Sequence, residues 1–223
     1  MSASALLRPL KTLVLSVDIG AGHRMAAEAL CQGIVAERPG STHQLVEALE
    51  HTGPDKGALA KELYFGALED APDLWGSLYA QREMFDVFRP INELADDFRL
   101  GTLAPKARAF APDVVLAMHP TACGLASALA RKREVECPVV AVLTDFDAHP
   151  AWVYEGIDHY FVASDSMAEQ LRARRLPSGD VTATGLPIRL PFEELGEPKV
   201  TKQKLGLAAE RTTLLLLGGG LGL

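Results

Sequence analysis

Cysteine is scarce: Cys31, Cys123 and Cys137 are the only three in 223 residues, odd in number and far apart. That pattern excludes a disulfide framework and the common zinc-ligand spacings, and it suits a reducing compartment. Positive charge is in deficit, with 22 Lys and Arg against 29 Asp and Glu for a formal net charge of -7. A general affinity for phosphate polymers is therefore not expected, and nucleic acid is a poor partner. Arg131, Lys132 and Arg133 make the longest cationic run, which reads as a solvated helix end. No apolar stretch is long enough to span a membrane, because the longest, from Val114 to Ala130, is broken by His119 and Pro120. Nor does Met1–Leu10 resemble a signal peptide, since a strand pattern follows it directly. The expectation is a protein of the cytoplasm, peripheral on the inner face of the membrane if it meets one.

What is present is an alternation of short β-branched runs and helical stripes. Strands are predicted over Thr12–Asp18, His43–Leu49, Asp113–His119, Val139–Asp145, His159–Ser164 and Val181–Thr184. Helices are predicted over Arg24–Glu37, Thr121–Arg133 and Ser166–Arg174; on the first, Ala26, Ala27, Leu30 and Ile34 share a face. Strands without a polar face, alternating with helices, imply an α/β fold with a doubly wound parallel sheet of Rossmann-like type.

The segment from Pro54 to Phe110 departs from that rhythm, being helical in pattern and too long for one crossover. Seven of the fourteen aromatic residues lie between Tyr64 and Phe98: Tyr64, Phe65, Trp75, Tyr79, Phe85, Phe88 and Phe98. Ile91, Leu94, Ala95 and Phe98 repeat at helical spacing. The segment is either a helical pack on the sheet or an apolar lip, and its acidic balance excludes a polybasic lipid anchor. A boundary falls near residue 198. Gly196-Glu197-Pro198 reads as a linker, Thr201–Gly206 as a short helix, and Thr212–Leu217 as a new buried strand running into Gly218-Gly219-Gly220. Residues 1–198 would thus form one domain and 199–223 the start of a second.

Ionisable residues stand where the strands end: Asp18 and His23 after the first, His119 on the third, Asp145 on the fourth, with His149 and Trp152 just beyond. In an open parallel sheet, ligands bind outside the carboxyl ends of the strands, so these groups should share one cleft. Gly20-Ala21-Gly22-His23 is the sharpest local feature. Glycines permit a tight turn and leave amides free at a helix start, a place for an anion or polar ligand. His23 at that N-terminus should be held neutral by the positive helix end and could serve as a general base. The third glycine of a dinucleotide fingerprint is missing, and only Glu47 stands near the ribose-binding position, which disfavours NAD.

Residues Ser16 to Ala27 (SVDIGAGHRMAA) resemble the opening of the diacylglycerol glycosyltransferases. That family comprises plant-type monogalactosyldiacylglycerol synthases and bacterial processive diacylglycerol glucosyltransferases, relatives of the peptidoglycan enzyme MurG. The similarity continues at His119-Pro120, Thr144-Asp145 with His149 and Trp152, Val162-Ala163-Ser164, Thr184-Gly185-Leu186-Pro187-Ile188 and Leu217-Gly218-Gly219-Gly220. The resemblance implies the N-terminal half of a GT-B fold: residues 1–198 hold a diacylglycerol acceptor, and 199–223 begin the nucleotide-sugar domain. It implies inverting transfer from UDP-glucose or UDP-galactose at a membrane surface, with no bound metal and no cofactor. His23 matches the family base. Gly20, Ala21, Gly22, His119, Asp145, His149 and Trp152 fall on acceptor-side positions, and Gly218, Gly219 and Gly220 on the donor loop. Nearly all of the donor half is absent from this sequence. Two other readings remain open: a non-catalytic lipid-binding module, and a metal-dependent hydrolase using Asp18, His23, His119, Asp145 and His149.

Overall fold

A computed structural model describes residues 8–18, 21–52, 100–174, 179–193 and 196–217. The aromatic-rich segment, Gly20 and Gly218 to Gly220 lie outside the described residues. Six parallel strands form one sheet in the order β2-β1-β3-β4-β5-β6. They are β1 (Lys11–Ser16), β2 (Thr42–Glu47), β3 (Val114–Ala117), β4 (Val139–Val142), β5 (His159–Val162) and β6 (Asp180–Ala183). The described helices are α1 (Gly22–Glu37), α2 (100–110), α3 (Pro120–Arg131), α4 (Asp165–Ala173) and α5 (Pro198–Lys204). Six of the seven strands expected from the sequence are present, each within a few residues of its expected limits.

The β period of two sends alternate side chains to opposite faces, and each face receives its own helices. Val14, Leu116, Val140 and Val142 pack with Ala26, Ala27 and Cys31 of α1. Leu13, Leu15, Val115, Ala117 and Ala141 pack on the other face, with Leu103 of α2, Leu125 of α3 and Leu171 of α4. A sheet covered on both faces has no need of polar alternation, which is why its strands read as continuous apolar runs.

Two helix starts are fixed by side chains of the strand ends. His119 caps α3 by accepting the amide of Thr121 at 3.1 Å, and Pro120 follows with φ already set for a helix. Ser164 caps α4 through the amide of Met167. By contrast α1 begins after Ala21 with no side-chain cap. Strand order reverses direction between β1 and β3, so their carboxyl ends part into a crevice, as at the switch point of any doubly wound sheet.

The expected strand over Thr212–Leu217 is not formed. Those residues have no regular structure, and Leu214 to Leu217 are 79–91% exposed. A buried-type strand needs neighbouring strands and a covering layer to repay its ordering, and the described residues provide neither.

Candidate functional site

Three carboxyl ends supply the crevice. His23 stands in the first turn of α1, His119 directly follows β3, and Thr144 and Asp145 follow β4. The rings of His23 and His119 meet edge to face with centroids 4.7 Å apart. Trp152, in a 3-10 turn over Pro150–Trp152, approaches both rings at 6.4 and 6.5 Å. Its indole N–H donates to Oδ2 of Asp145. His23, His119, Asp145 and Trp152, expected separately from the strand ends, are thus in one cluster.

Hydrogen bonds fix how two of the imidazoles carry their protons. Nδ1 of His23 lies 3.1 Å from the carbonyl oxygen of Met118, and a carbonyl only accepts. Nδ1 therefore bears the proton, and Nε2 keeps a free lone pair. His119 has the opposite tautomer, because its Nδ1 accepts the Thr121 amide. Burial pushes the His119 pKa down to about 3, with the neighbouring His23 adding to the depression, so the ring stays neutral across the physiological range. Burial also lowers the pKa of His23, opposed by the charge of Asp145 and the Met118 hydrogen bond.

His23 and Asp145 line a cleft of about 420 Å³. Its opposite wall is apolar, made by Leu186, Pro187, Ile188 and Phe192, with Arg189 stacked over the Phe192 ring at 5.3 Å. Gly185 turns the chain into that wall with φ near +84°, a conformation that suits glycine and few other residues. The sequence singled out Leu186-Pro187-Ile188 only as part of a motif and gave no role to Thr144, Arg189 or Phe192. Gly185 followed by Pro187 was the available sign of a turn, but not of what the turned chain packs against.

Other expected site residues are placed differently. Trp152 and His149 are fully buried, so they back the cleft wall instead of forming it. Nδ1 of His149 accepts the amide of Ala151 and starts the 3-10 turn that carries Trp152. Asp18 pairs with Arg24 at 3.4 Å on the surface. Among the described residues no three His, Cys, Asp or Glu side chains are grouped as a metal ion would require, so Asp18, His23, His119, Asp145 and His149 do not come together as one ligand set.

Residues 23–188 match the profile of the Monogalactosyldiacylglycerol (MGDG) synthase family. Over 222 aligned residues, 95% of this chain, it is 26% identical to a processive diacylglycerol beta-glucosyltransferase of Bacillus cereus. Proteins of the same name from Bacillus thuringiensis and Bacillus anthracis match at the same identity and coverage. The alignment takes in 54% of each, so the chain spans about half the length of the curated relatives it matches.

Proposed function

Because the chain belongs to the monogalactosyldiacylglycerol synthase family, we propose that it forms the acceptor half of an inverting hexosyltransferase acting on diacylglycerol. The donor is a nucleotide sugar, UDP-glucose or UDP-galactose. The observation that carries the reading is the tautomer of His23. With Nδ1–H held by the Met118 carbonyl at 3.1 Å, the bare Nε2 is left for a substrate in the cleft.

In this mechanism His23 is the catalytic base. Nε2 takes the proton of the glycerol hydroxyl while that oxygen bonds to the anomeric carbon. The bond from that carbon to the diphosphate oxygen breaks on the opposite side, and its electron pair leaves with the diphosphate. A positioned base of this kind contributes about 10² to 10⁴ in rate. Asp145 stabilises the imidazolium as it forms, since its charge already favours the protonated ring. His119, neutral at all relevant pH, packs the His23 ring without adding a competing positive charge. Gly22 presents the start of α1 to the polar head of the acceptor, Gly20 and Ala21 preceding it in the sequence motif, and Ile188 and Phe192 give its glyceride portion an apolar wall. Gly218, Gly219 and Gly220 open the donor site in the second domain, which begins at 199.

No cofactor takes part in this reading. The acceptor is insoluble, so the protein would work at a membrane surface, from the cytoplasmic side. No described helix is long and apolar enough to cross a membrane. The test is to supply the whole protein with diacylglycerol vesicles and either UDP-sugar, and to look for a hexosyl-diacylglycerol by mass spectrometry. Product formation that vanishes in His23→Ala supports the reading. Vesicle binding by the whole protein without transfer from either donor overturns it in favour of a lipid-binding module.

A further inference from the structure

His23 touches a second oxygen besides the Met118 carbonyl. The hydroxyl of Thr144, just beyond the end of β4, lies 2.5 Å from the same Nδ1. Either the hydroxyl donates to an unprotonated Nδ1, or it accepts from Nδ1–H. The first arrangement would set a nitrogen lone pair against the Met118 carbonyl oxygen at 3.1 Å, two acceptors with no proton between them. The second lets one N–H serve both oxygens, a three-centre bond with every group satisfied. Only the second agrees with both distances.

We propose that Thr144 is a positioning residue for His23, its hydroxyl and the Met118 carbonyl together holding the ring proton on Nδ1 and leaving Nε2 bare toward the cleft. The inference rests on the reading of His23 as the base, and it adds a group that neither the sequence motif nor the family match assigns. The Met118 carbonyl belongs to the backbone and cannot be varied. Thr144 is therefore the part of the clamp on which side-chain identity acts. It also sits one residue before Asp145, so one strand end supplies both the group that orients the ring and the charge that favours its protonated form.

The clamp has a directional consequence. A hydrogen bond accepted from Nδ1–H is stronger when the ring is an imidazolium, so Thr144 raises the basicity of Nε2 against the depression that burial imposes. Among the described residues, Asp145 after β4 and His119 at the start of α3 act on this ring, and Arg189 lines the same cleft. Replacing Thr144 by valine keeps the shape, leaves all three in place and removes only the acceptor. The His23 pKa should then fall further, and the acid limb of the pH–rate profile should move to lower pH as the maximum rate drops.

Two measurements test this separately from the transfer reaction. The first is ¹⁵N NMR of the histidine rings in the 223-residue chain above neutral pH. His23 should show a protonated Nδ1 and an unprotonated Nε2; the reverse tautomer in the unaltered chain overturns the proposal with no variant needed. The second compares Thr144→Val with Thr144→Ser in the whole enzyme. The valine variant should lose about ten- to a hundred-fold in kcat with little change in acceptor KM, and serine should restore most of it. A folded valine variant with an unmoved pH profile and unmoved ring shifts would show that Thr144 does not hold the base. If the whole protein transfers no sugar at all, the functional reading fails, while the NMR result still decides the role of Thr144.

Discussion

The indole N–H of Trp152 donates a 2.9 Å hydrogen bond to Oδ2 of Asp145. Its ring has no exposed surface and packs toward His23 and His119. One side chain thus does two things at once: it fills the space behind the histidines, and it holds a carboxylate at the edge of the cleft. Its place a short loop after β4 suggests a cleft-lining ring, but Trp152 is buried and it is its hydrogen-bond partner Asp145 that lines the cleft.

Trp152→Ala should therefore act first on stability, costing about 3–5 kcal/mol as large-to-small changes of buried tryptophan do. Chemical denaturation of the chain measures it. Trp152→Phe keeps most of the volume and loses the donor, so it should be milder for folding while lowering turnover a few-fold in the whole enzyme. Normal unfolding of the alanine variant would mean that the ring is not part of the core.

The fold was legible because the central strands are apolar on both faces and the helix after β1 has a clear stripe, which is what a doubly covered parallel sheet requires. Val139 to Val142 and Leu13 to Val17 carry that message without any tertiary information. The convergence of His23, His119 and Asp145 was legible for a related reason: carboxyl ends of parallel strands lie on one edge. Depth was not legible. Nothing in the residues around Trp152 or His149 distinguishes a cleft wall from the layer behind it, because both are polar-tipped rings in a short loop. The wall made by Ile188 and Phe192 was missed because its position depends on the turn at Gly185 and on the 3-10 turn over Leu190–Phe192 packing on α1, both tertiary facts. Thr212 to Leu217 show the converse error, a strand pattern whose partners are not among the described residues.

His23→Ala in the whole enzyme should cut turnover by about 10² to 10⁴, the usual worth of a general base. Affinity for the acceptor should change little, because the imidazole is one of several groups lining a cleft of about 420 Å³. Steady-state kinetics with vesicle-borne acceptor separate the two effects. Turnover close to that of the unaltered enzyme would make His23 a structural partner of Met118 and Thr144 only.

Acid should weaken both activity and folding, by different histidines. The His23 pKa lies below its ordinary value of 6.5, so its base form persists through neutrality and is lost only as pH falls through that lowered value. For His119 the folded pKa of about 3 is far below 6.5, so the unfolded chain takes up a proton before the folded chain does. The stability that His119 contributes is whole above about pH 6.5 and drains away as pH falls toward its folded pKa. His119→Asn keeps a side-chain acceptor for the α3 start and removes the titration. Its denaturation midpoint should therefore change less between neutral and acid pH than that of the unaltered chain. Equal pH dependence in the two proteins would show that other groups govern acid unfolding.

Leu214, Leu215, Leu216 and Leu217 are 85, 79, 91 and 80% exposed, a run of four large apolar side chains with no cover among the described residues. Contiguous apolar surface of this kind drives association, at roughly 25 cal/mol for each Å² removed from water. The 223-residue chain should accordingly self-associate as its concentration rises, and Leu214→Lys combined with Leu216→Lys should shift it toward monomer. Light scattering across a concentration series reads this directly. In a chain that continues past Leu223, the proposed second domain would bury the same run as its first strand. There the same two substitutions should destabilise, since each lysine would have to leave water. The shorter and the longer chain thus give opposite signs for one double substitution. A double variant that improves both chains equally would mean that the leucines stay exposed in the longer protein and do not begin a buried strand.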